Sequence, residues 1–543
     1  MRRQRGVGAA GLSLTWIARL YGSGGYPPSP GPYHSAHASA GISRPAQVTG
    51  GAMTAMDALT IETDVLVIGS GAGGATAAHV ASAAGYQVLV VEEGPHTDAT
   101  TAPESVPQSF LSLWRHGGLT PAFGTPPIAY AEGRCWGGST EINSAIVQRA
   151  PETVLKEWAD AYGVAGASAD ELAPYYDWVE ATVNASETDG PLGAPSEIIQ
   201  RGATALGYQV EALKRGQHHC VGTNLCSFGC PTGGKQSMSQ TLLPQAVGAG
   251  AQSLTDCAVT KLLIEGGKAV GAKARRRHPE SNGFETLTLR AKHVVLAAGA
   301  IQTPVILQRS GLGGPTVGHN LRLHPTIKVL ARFPDAVNAE DARLPLYAVT
   351  EFMPEMRLGG SVVRPGTLGM ALAEDWDQRQ HLYGQEAHLG SYYGMVRARS
   401  TGRVRAMPFG AAPLVTYNLS DQDWAQLQQA LGHLTAVMFA AGAQEVFPSL
   451  RGHPGWRQPE EAKAGLQASL PKKNAQLMTI HLFSTCPLGE DERLSPVDSY
   501  GQCRAVSGLT IADASLIPTA LGVNPQATVM ALAKRAVERA LDQ

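Results

Sequence analysis

The 543-residue sequence lacks long apolar runs and any excess of charge of one sign. A membrane-spanning helix needs roughly 18 or more apolar residues in a row, and no stretch of the chain approaches that length. The formal net charge is −2, whereas binding to nucleic-acid phosphates requires a basic surface. We therefore predict no transmembrane span and no nucleic-acid partner.

Cysteine is also scarce, with seven in 543 residues. Secreted domains held together by disulfides are short and dense in cysteine, so we expect no disulfide framework. A chain of this length in which 43% of the residues are hydrophobic can bury a large core, and we predict two domains.

Aspartate and glutamate are absent from residues 1–56, which contain several arginines and runs rich in glycine and proline. Such a segment cannot bury enough apolar surface to fold. We expect a disordered or mis-annotated N-terminal extension and a cytoplasmic protein. The pair Arg2-Arg3 before a short apolar stretch is also compatible with a twin-arginine export signal, although Arg19 interrupts that stretch.

An apolar segment at residues 65–68 predicts a buried strand, and a glycine-rich turn and a helix of small residues follow it. The glycines are Gly69, Gly71 and Gly74. Glycine permits a tight turn at the first position, close approach of a pyrophosphate at the second, and close helix–strand packing at the third. The positive end of the helix then faces the phosphates.

A second apolar strand is predicted at residues 88–91 and is followed by Glu92, 18 residues after Gly74. An acid at this point of a βαβ unit can hydrogen-bond a ribose hydroxyl. A dinucleotide site is predicted by the combination of the first strand, the glycines, the helix, the second strand and the acid that ends it. They do not distinguish NAD from FAD.

Apolar periodicity and turn residues predict further elements along the chain. Helices are predicted at 152–162, 169–183, 421–442 and 525–541, and strands at 258–264, 269–274, 287–289, 293–296 and 509–512. Short β-like segments dominate from about 326 to 419.

Several later segments resemble the signature motifs of the glucose–methanol–choline (GMC) oxidoreductases. They are Gly133-Arg134 through Gly137-Gly138-Ser139-Thr140 and Asn143; Gly299 to Pro304 with Ser310 to Gly313; Gly318 to Leu321 with His324-Pro325; His481 before Gly489; and Asp513 followed by Gly522 to Pro525. The resemblance covers the chain from Asp64 onward, in order.

This resemblance implies an α/β fold with a doubly wound Rossmann-type domain that binds FAD. The implied cofactor-binding residues are Gly69, Gly71, Gly74, Glu92, Gly137, Gly138, Asn143, Val259, Asp513 and Pro525. Some family members attach the flavin covalently through a histidine just before the asparagine of the Gly-Gly-Ser loop. That position is Ile142 here, so we expect non-covalent FAD.

The nucleotide-site motifs lie near both ends of the chain, which predicts a split FAD-binding domain. We assign residues 57–150, 205–330 and 482–543 to this domain. A substrate-binding domain, built on an antiparallel sheet plus helices, is predicted from residues 151–204 and 331–481.

His481 and Asn524 are the catalytic residues that the family resemblance implies. Alcohol oxidation needs a group that accepts the hydroxyl proton while a hydride leaves the adjacent carbon, and imidazole has a suitable pKa. A structural histidine is the alternative for His481. Asn524 before Pro525 is also a natural helix N-cap, a role compatible with the catalytic one.

Three cysteines, Cys220, Cys226 and Cys230, lie close together in a glycine-containing loop. Their spacing is similar to that of FAD-dependent glucose dehydrogenases of the family, in which three such cysteines hold a 3Fe-4S cluster. The alternatives are buried structural thiols and a zinc site completed by His218 or His219, because spacing alone does not fix the metal.

The family resemblance implies an FAD-dependent alcohol dehydrogenase or oxidase that converts a sugar, long-chain alcohol or sterol to an aldehyde or ketone. The electron acceptor would be oxygen, a quinone, a cytochrome or a partner subunit. Two other functions remain compatible with the sequence. One is a lyase that keeps FAD without redox chemistry, similar to the hydroxynitrile lyases, and the other is a non-catalytic flavoprotein that carries electrons.

Overall fold

The computed structural model describes residues 59–188, 192–277, 283–338, 343–408, 412–468 and 470–542. These residues belong to one compact unit that begins at residue 58. The N-terminal extension predicted at residues 1–56 and its arginine pair lie outside the described residues.

The first sheet combines strands from three distant parts of the chain. Its strands are β1 (Leu59–Ile68), β2 (Val88–Val91), β8 (Gln252–Leu254), β9 (Cys257–Glu265), β10 (Lys268–Arg277), β11 (Phe284–Leu296) and β22 (Leu509–Ile511). The order is β8-β2-β1-β11-β10-β9, with β22 beside β11. The strands β8, β2, β1, β11 and β22 are parallel, and β10 and β9 continue the sheet antiparallel.

Parallel strands covered on both faces are apolar throughout, which is why residues 65–68 and 88–91 are fully buried. The strands predicted at 287–289 and 293–296 are one continuous strand, β11. This sheet confirms the predicted α/β class with a Rossmann-type domain split in sequence.

Twelve α-helices occur in the described residues. They are α1 (Ala72–Ala83), α2 (Val106–Ser112), α3 (Glu152–Tyr162), α4 (Ala169–Thr182), α5 (Ala194–Ala205), α6 (Leu242–Gly248), α7 (Gly299–Arg309), α8 (Pro365–Ala373), α9 (Trp376–Arg379), α10 (Asp421–Ala440), α11 (Pro459–Gln467) and α12 (Gln526–Leu541). Helix α1 contacts α6 and α12 beside the first sheet, and α10 packs on the second sheet.

The second sheet is antiparallel except for one pair of strands. It contains β3 (Thr120–Ala122), β4 (Ile128–Tyr130), β6 (Val210–Ala212), β13 (Thr326–Arg332), β14 (Tyr347–Val349), β15 (Met356–Gly360), β16 (Leu389–Val396), β19 (Glu445–Pro448) and β20 (Leu477–Thr479). Its order is β3-β4-β20-β13-β16-β15-β14-β6, with β19 beside β13, and β4 and β20 are the parallel pair.

Three small ribbons complete the described strands. They are β5 (Ala185–Ser186) with β7 (Arg215–Gly216), β12 (Arg322–Leu323) with β21 (Leu482–Phe483), and β17 (Gly402–Arg405) with β18 (Leu414–Tyr417). The region 326–419, predicted to be β-like throughout, also contains the helices α8 and α9.

The sheets do not follow the predicted domain boundaries everywhere. The strands β3, β4 and β6 belong to the second sheet, although residues 57–150 and 205–330 were assigned to the FAD-binding domain. The division into an FAD-binding and a substrate-binding domain otherwise stays a prediction.

None of the helices in the described ranges is both long and apolar enough to cross a membrane.

Gly73 allows α1 to pack closely against the segment that follows β22. A Cβ atom at this position would lie 1.6 Å from the backbone oxygen of Ala512. We therefore expect Gly73→Ala to lower the free energy of unfolding by about 1–3 kcal/mol, as measured by urea denaturation.

Gly248→Ala is the matched control. Gly248 is also helical, and a Cβ there would meet no atom within 4 Å. Its alanine variant should be neutral or stabilised by up to about 1 kcal/mol. Equal stability of the two variants would contradict the close packing at Gly73.

Candidate active site

The turn after β1 has the backbone geometry that the glycine motif predicts. Gly69 has a φ of +98°, and a Cβ there would lie 2.3 Å from the backbone oxygen of Ala297. A Cβ at Gly74 would lie 1.9 Å from the backbone oxygen of Gly69. Both positions therefore require glycine, the first for its dihedral angle and both for close packing.

The N-terminus of α1 has open space beside it, and no side chain caps its backbone N–H groups. Gly71 caps this helix without a side-chain hydrogen bond, and the first turn contains no acidic residue. A Cβ at Gly71 would meet only the Cα of Gly138, at 4.0 Å. The free N–H groups and the positive helix end suit the phosphates of a dinucleotide.

Glu92 fixes the loop that follows β1. Its carboxylate accepts hydrogen bonds from the Ser70 N–H at 3.1 Å, from the Ser70 hydroxyl at 2.7 Å and from the Gly94 N–H at 2.9 Å. Ser70 Oγ in turn accepts from the Gly137 N–H at 3.0 Å. Burial raises the pKa of Glu92. Ser70 thus joins the two glycine loops. The glycine motif accepts any residue at this position, so no role for Ser70 was predicted from the sequence.

Gly137 and Gly138 bring their loop against the β1–α1 turn. A Cβ at Gly138 would lie 2.8 Å from the Cα of Gly71, so the two predicted glycine segments meet. Asn143 follows this loop. Its side-chain oxygen accepts from the Ala145 N–H at 2.9 Å, and its Nδ2 donates to Gln526 at 2.6 Å.

Asp513 lies directly after β22 and is buried. Its carboxylate accepts from the Gly299 N–H and the Ser515 N–H, both at 2.8 Å, and from the hydroxyl of Thr303. Burial raises its pKa. It therefore joins β22 to the N-terminus of α7.

The other two predicted cofactor residues lie at separate points of the same unit. Val259 is half-buried in β9, opposite Ala274. Pro525 caps the N-terminus of α12.

The residues around the β1–α1 turn fit a dinucleotide. The helix terminus is uncapped, Gly71 leaves space beside it, and a buried acid follows β2. These are the parts that bind pyrophosphate and ribose in Rossmann-type sites.

His481 and Asn524 come together although 43 residues separate them. His481 lies between β20 and β21 and is 8% exposed. Its Nε2 is 3.3 Å from Asn524 Nδ2. The N-cap interpretation of Asn524 is wrong by one residue, because α12 begins at Gln526 and Pro525 occupies the cap position. The side chain of Asn524 is therefore free to contact His481.

His324 contacts the other side of the His481 ring. The Nδ1 atoms of the two histidines are 3.0 Å apart, and His324 Nε2 accepts from the Gly522 N–H at 2.8 Å. A backbone N–H can only donate, so the ring proton of His324 lies on Nδ1. His481 thus has an N–H donor on each side, His324 Nδ1 and Asn524 Nδ2, and its neutral ring accepts from only one of them at a time. Sequence reasoning named His324 only within a motif and gave it no role.

Arg357, on β15, completes the cluster. It is 1% exposed. Its guanidinium donates to Asn524 Oδ1 at 2.6 Å, to the Tyr393 hydroxyl at 3.3 Å and to the side-chain oxygen of Gln148. Sequence reasoning missed this residue. The available signal was an arginine within the apolar, buried strand Met-Arg-Leu-Gly.

The cluster keeps both histidines neutral. Burial and, secondly, the positive charge of Arg357 lower the pKa of His481 from 6.5 to about 3. Burial, with the charges of His481 and Arg357, lowers the pKa of His324 well below its usual value. At neutral pH the site therefore holds one permanent cation and two uncharged imidazoles.

The three cysteines of the loop border one cavity, together with Arg215 and Lys235. Cys226 is buried, and Cys220 and Cys230 are half-buried. However, within the described ranges no three His, Cys, Asp or Glu side chains are arranged to hold a metal ion. The predicted iron–sulfur cluster and the zinc alternative therefore have no structural support, and all seven cysteines are free thiols.

Lys235 connects this cysteine loop to the glycine loop of the dinucleotide site. Its buried ammonium group donates to the backbone oxygens of Cys226, Thr140 and Glu141 at 2.6–2.7 Å. Burial lowers its pKa. The lysine thus satisfies carbonyl groups that would otherwise be buried without partners.

Three family models match the chain. Two models described as GMC oxidoreductase match residues 110–326 and 398–533. A model described as an NAD(P)-binding Rossmann-like domain matches residues 67–113.

Two relatives are similar over most of the chain. An uncharacterised GMC-type oxidoreductase of Sinorhizobium fredii is 50% identical over 483 residues, covering 89% of this chain and 95% of the relative. A long-chain-alcohol oxidase of Arabidopsis thaliana is 28% identical over 530 residues, covering 88% of this chain and 68% of the relative.

Solved structures share the fold. A pyridoxine 4-oxidase from Mesorbium loti has a TM-score of 0.66 at 18% identity, covering 88% of this chain and 99% of that one. A formate oxidase has a TM-score of 0.68 at 14% identity, covering 90% and 99%. Together with the family models and the 50% identical relative, the dinucleotide site shows that the chain belongs to the GMC oxidoreductase family.

Proposed function

We propose that the chain oxidises an alcohol group to an aldehyde or ketone, with His481 accepting the hydroxyl proton. FAD, when bound, supplies the acceptor for the hydride that leaves the carbinol carbon. The observation that carries the proposal is the contact between neutral His481 and Asn524, which lies just before α12 in the unit that holds the dinucleotide site. Membership of the GMC family and similarity to a long-chain-alcohol oxidase support it.

Proton acceptance requires a bare Nε2 on His481. The donor Nδ2 of Asn524 favours this tautomer, whereas the contact between Gly522 and His324 favours the opposite one. We propose that substrate binding opens this contact, so that His324 carries its proton on Nε2 and His481 carries its proton on Nδ1. The two histidines then hold the reactive lone pair toward the alcohol.

Arg357 helps a weak base to perform this step. A nearby positive charge lowers the pKa of an alcohol as well as that of an imidazolium, because it favours the form with less positive charge in both cases. Arg357 also holds Asn524 Oδ1 at 2.6 Å. Asn524 Nδ2 therefore points toward the reacting atoms and can donate to the substrate oxygen.

Oxygen is the electron acceptor that the comparisons favour, since similar proteins are named as oxidases.

The flavin is expected to be non-covalent. Ile142 is 5% exposed and apolar, and it packs with Leu113 and Cys135 at the position where some relatives carry a histidine. Acid precipitation should release all the yellow colour into the supernatant as free FAD, measured by absorbance and chromatography. Flavin that stays with the precipitate would contradict this.

His481→Ala should slow flavin reduction by an alcohol under nitrogen. Loss of a general base typically costs roughly 10²- to 10⁴-fold in rate. The measurement is stopped-flow bleaching of the flavin with a panel of alcohols, at equal flavin content in each sample.

His381→Ala is the control, because His381 is exposed and lies against Glu445. It should reduce at the wild-type rate. An unchanged rate in His481→Ala would contradict His481 as the base, and wild-type flavin that no alcohol bleaches would favour a lyase or an electron-carrier role.

The pH dependence of flavin reduction tests the charge of Arg357. His481 is active when neutral, and its pKa of about 3 predicts no loss of rate between about pH 8 and pH 5. In Arg357→Met the pKa of His481 rises, because a neighbouring positive charge is removed. His481 then becomes protonated, and stops accepting the alcohol proton, at a higher pH than in wild type. The pH at which the rate falls on the acid side (the acid limb) therefore rises.

Arg357→Lys keeps the charge and should keep the wild-type acid limb. The proposal fails if wild type already loses activity near pH 6.5, the usual imidazole value. It also fails if the methionine variant has the same acid limb as wild type.

A further inference from the structure

Arg357 is a buried cation whose partners are all uncharged. It is 1% exposed and donates to the side chains of Gln148, Tyr393 and Asn524. No carboxylate lies within ion-pair distance of it in the described part of the chain. An arginine side chain cannot give up its charge inside a protein, so the positive charge remains uncompensated in the resting site.

One of its donors is also unused. Nε of Arg357 is buried without a hydrogen-bond partner. A buried N–H group without a partner is destabilising, and so is a buried charge without a counter-ion. The nearby Arg397 shows the usual solution, because it is 3% exposed and pairs with Glu157 at 2.5 Å.

The cation lies beside the atoms that would react. Only the carboxamide group of Asn524 separates Arg357 from His481, through contacts of 2.6 Å and 3.3 Å. An anion bound to Arg357 would therefore lie within a few bonds of a carbinol carbon placed at His481.

We infer that Arg357 binds the carboxylate of the substrate, and that the substrate is a short hydroxy acid. A charged guanidinium group with an unpaired Nε–H pairs with a carboxylate better than with any neutral group. The charge that the resting site leaves unpaired is then paired by the substrate. This inference rests on the proposed alcohol oxidation and adds the class of alcohol.

The reaction balances without a further reactant. The carbinol carbon loses a hydride to the flavin and becomes a carbonyl carbon, and the hydroxyl proton goes to His481. The carboxylate stays bound to Arg357 unchanged, so the product is an oxo acid.

A binding experiment tests the inference without turnover. Propanoate and propanamide have nearly the same shape, and neither has a hydroxyl group to oxidise. In calorimetric titrations of the FAD-loaded protein, propanoate should bind roughly 10- to 100-fold more tightly than propanamide, as expected for a hydrogen-bonded charge. Arg357→Met should abolish that preference, and Arg357→Lys should keep part of it.

Flavin reduction gives an independent readout. The substrates are 3-hydroxypropanoate and 1-propanol, compared by their kcat/KM ratio under nitrogen. The ratio should favour the hydroxy acid in wild type and fall roughly 10- to 100-fold in Arg357→Met. A merely structural defect would slow both substrates by the same factor and leave the ratio unchanged. Arg403→Met, at an exposed arginine of β17, is the control and should keep the wild-type ratio.

Two results would overturn the inference: equal binding of propanoate and propanamide to wild type, or an unchanged substrate ratio in Arg357→Met. An unchanged ratio would mean that the charge of Arg357 acts on the oxidation of the hydroxyl group, which all alcohols share, and not on a carboxylate. Failure of the proposed function looks different, because then neither 1-propanol nor 3-hydroxypropanoate bleaches the flavin, while the propanoate preference still reports on Arg357.

Discussion

The positive charge of Arg357, buried without a carboxylate, determines the chemistry of this site. It fixes the orientation of Asn524 through a hydrogen bond of 2.6 Å. It also helps burial to lower the pKa of His481 to about 3. Burial and this charge together keep the imidazole neutral, and the proposed preference for an anionic substrate depends on the charge alone.

The fold brings this charge together with His481 and Asn524 by joining two sheets. Arg357 comes from β15, and His481 follows β20 of the same antiparallel sheet, whereas Asn524 precedes α12, which packs beside the parallel sheet. The loops of the dinucleotide site are held in turn by Ser70 and Glu92. The proposed proton acceptor and the dinucleotide site thus come from different parts of the chain within one compact unit.

The parallel sheet could be predicted from the sequence because its signals are local. Apolar runs, glycines and a terminal acid lie within the 31 residues 64–94, and each has one physical meaning there. Arg357 stood out only as an arginine in an apolar strand and His324 only as part of a motif, because their importance comes from partners far away in sequence. Asn524 is an intermediate case, because its position beside the start of a helix could be predicted from the sequence. The exact start of the helix could not, and a difference of one residue decides whether the Asn524 side chain caps the helix or contacts His481. The cysteine spacing suggested a cluster that the described side chains do not support, because spacing alone does not fix the metal.

Neutron diffraction from deuterium-exchanged crystals tests the central claim most directly, because it shows which ring nitrogens of the histidines are protonated. At roughly pD 5, below the usual imidazole pKa, we predict one deuteron on the ring of His481 and one on that of His324, the latter at Nδ1. The guanidinium of Arg357 should be fully charged, with no anion beside it in the absence of substrate. Two deuterons on the ring of His481 would contradict the account, because a charged imidazole cannot accept the proton of an alcohol.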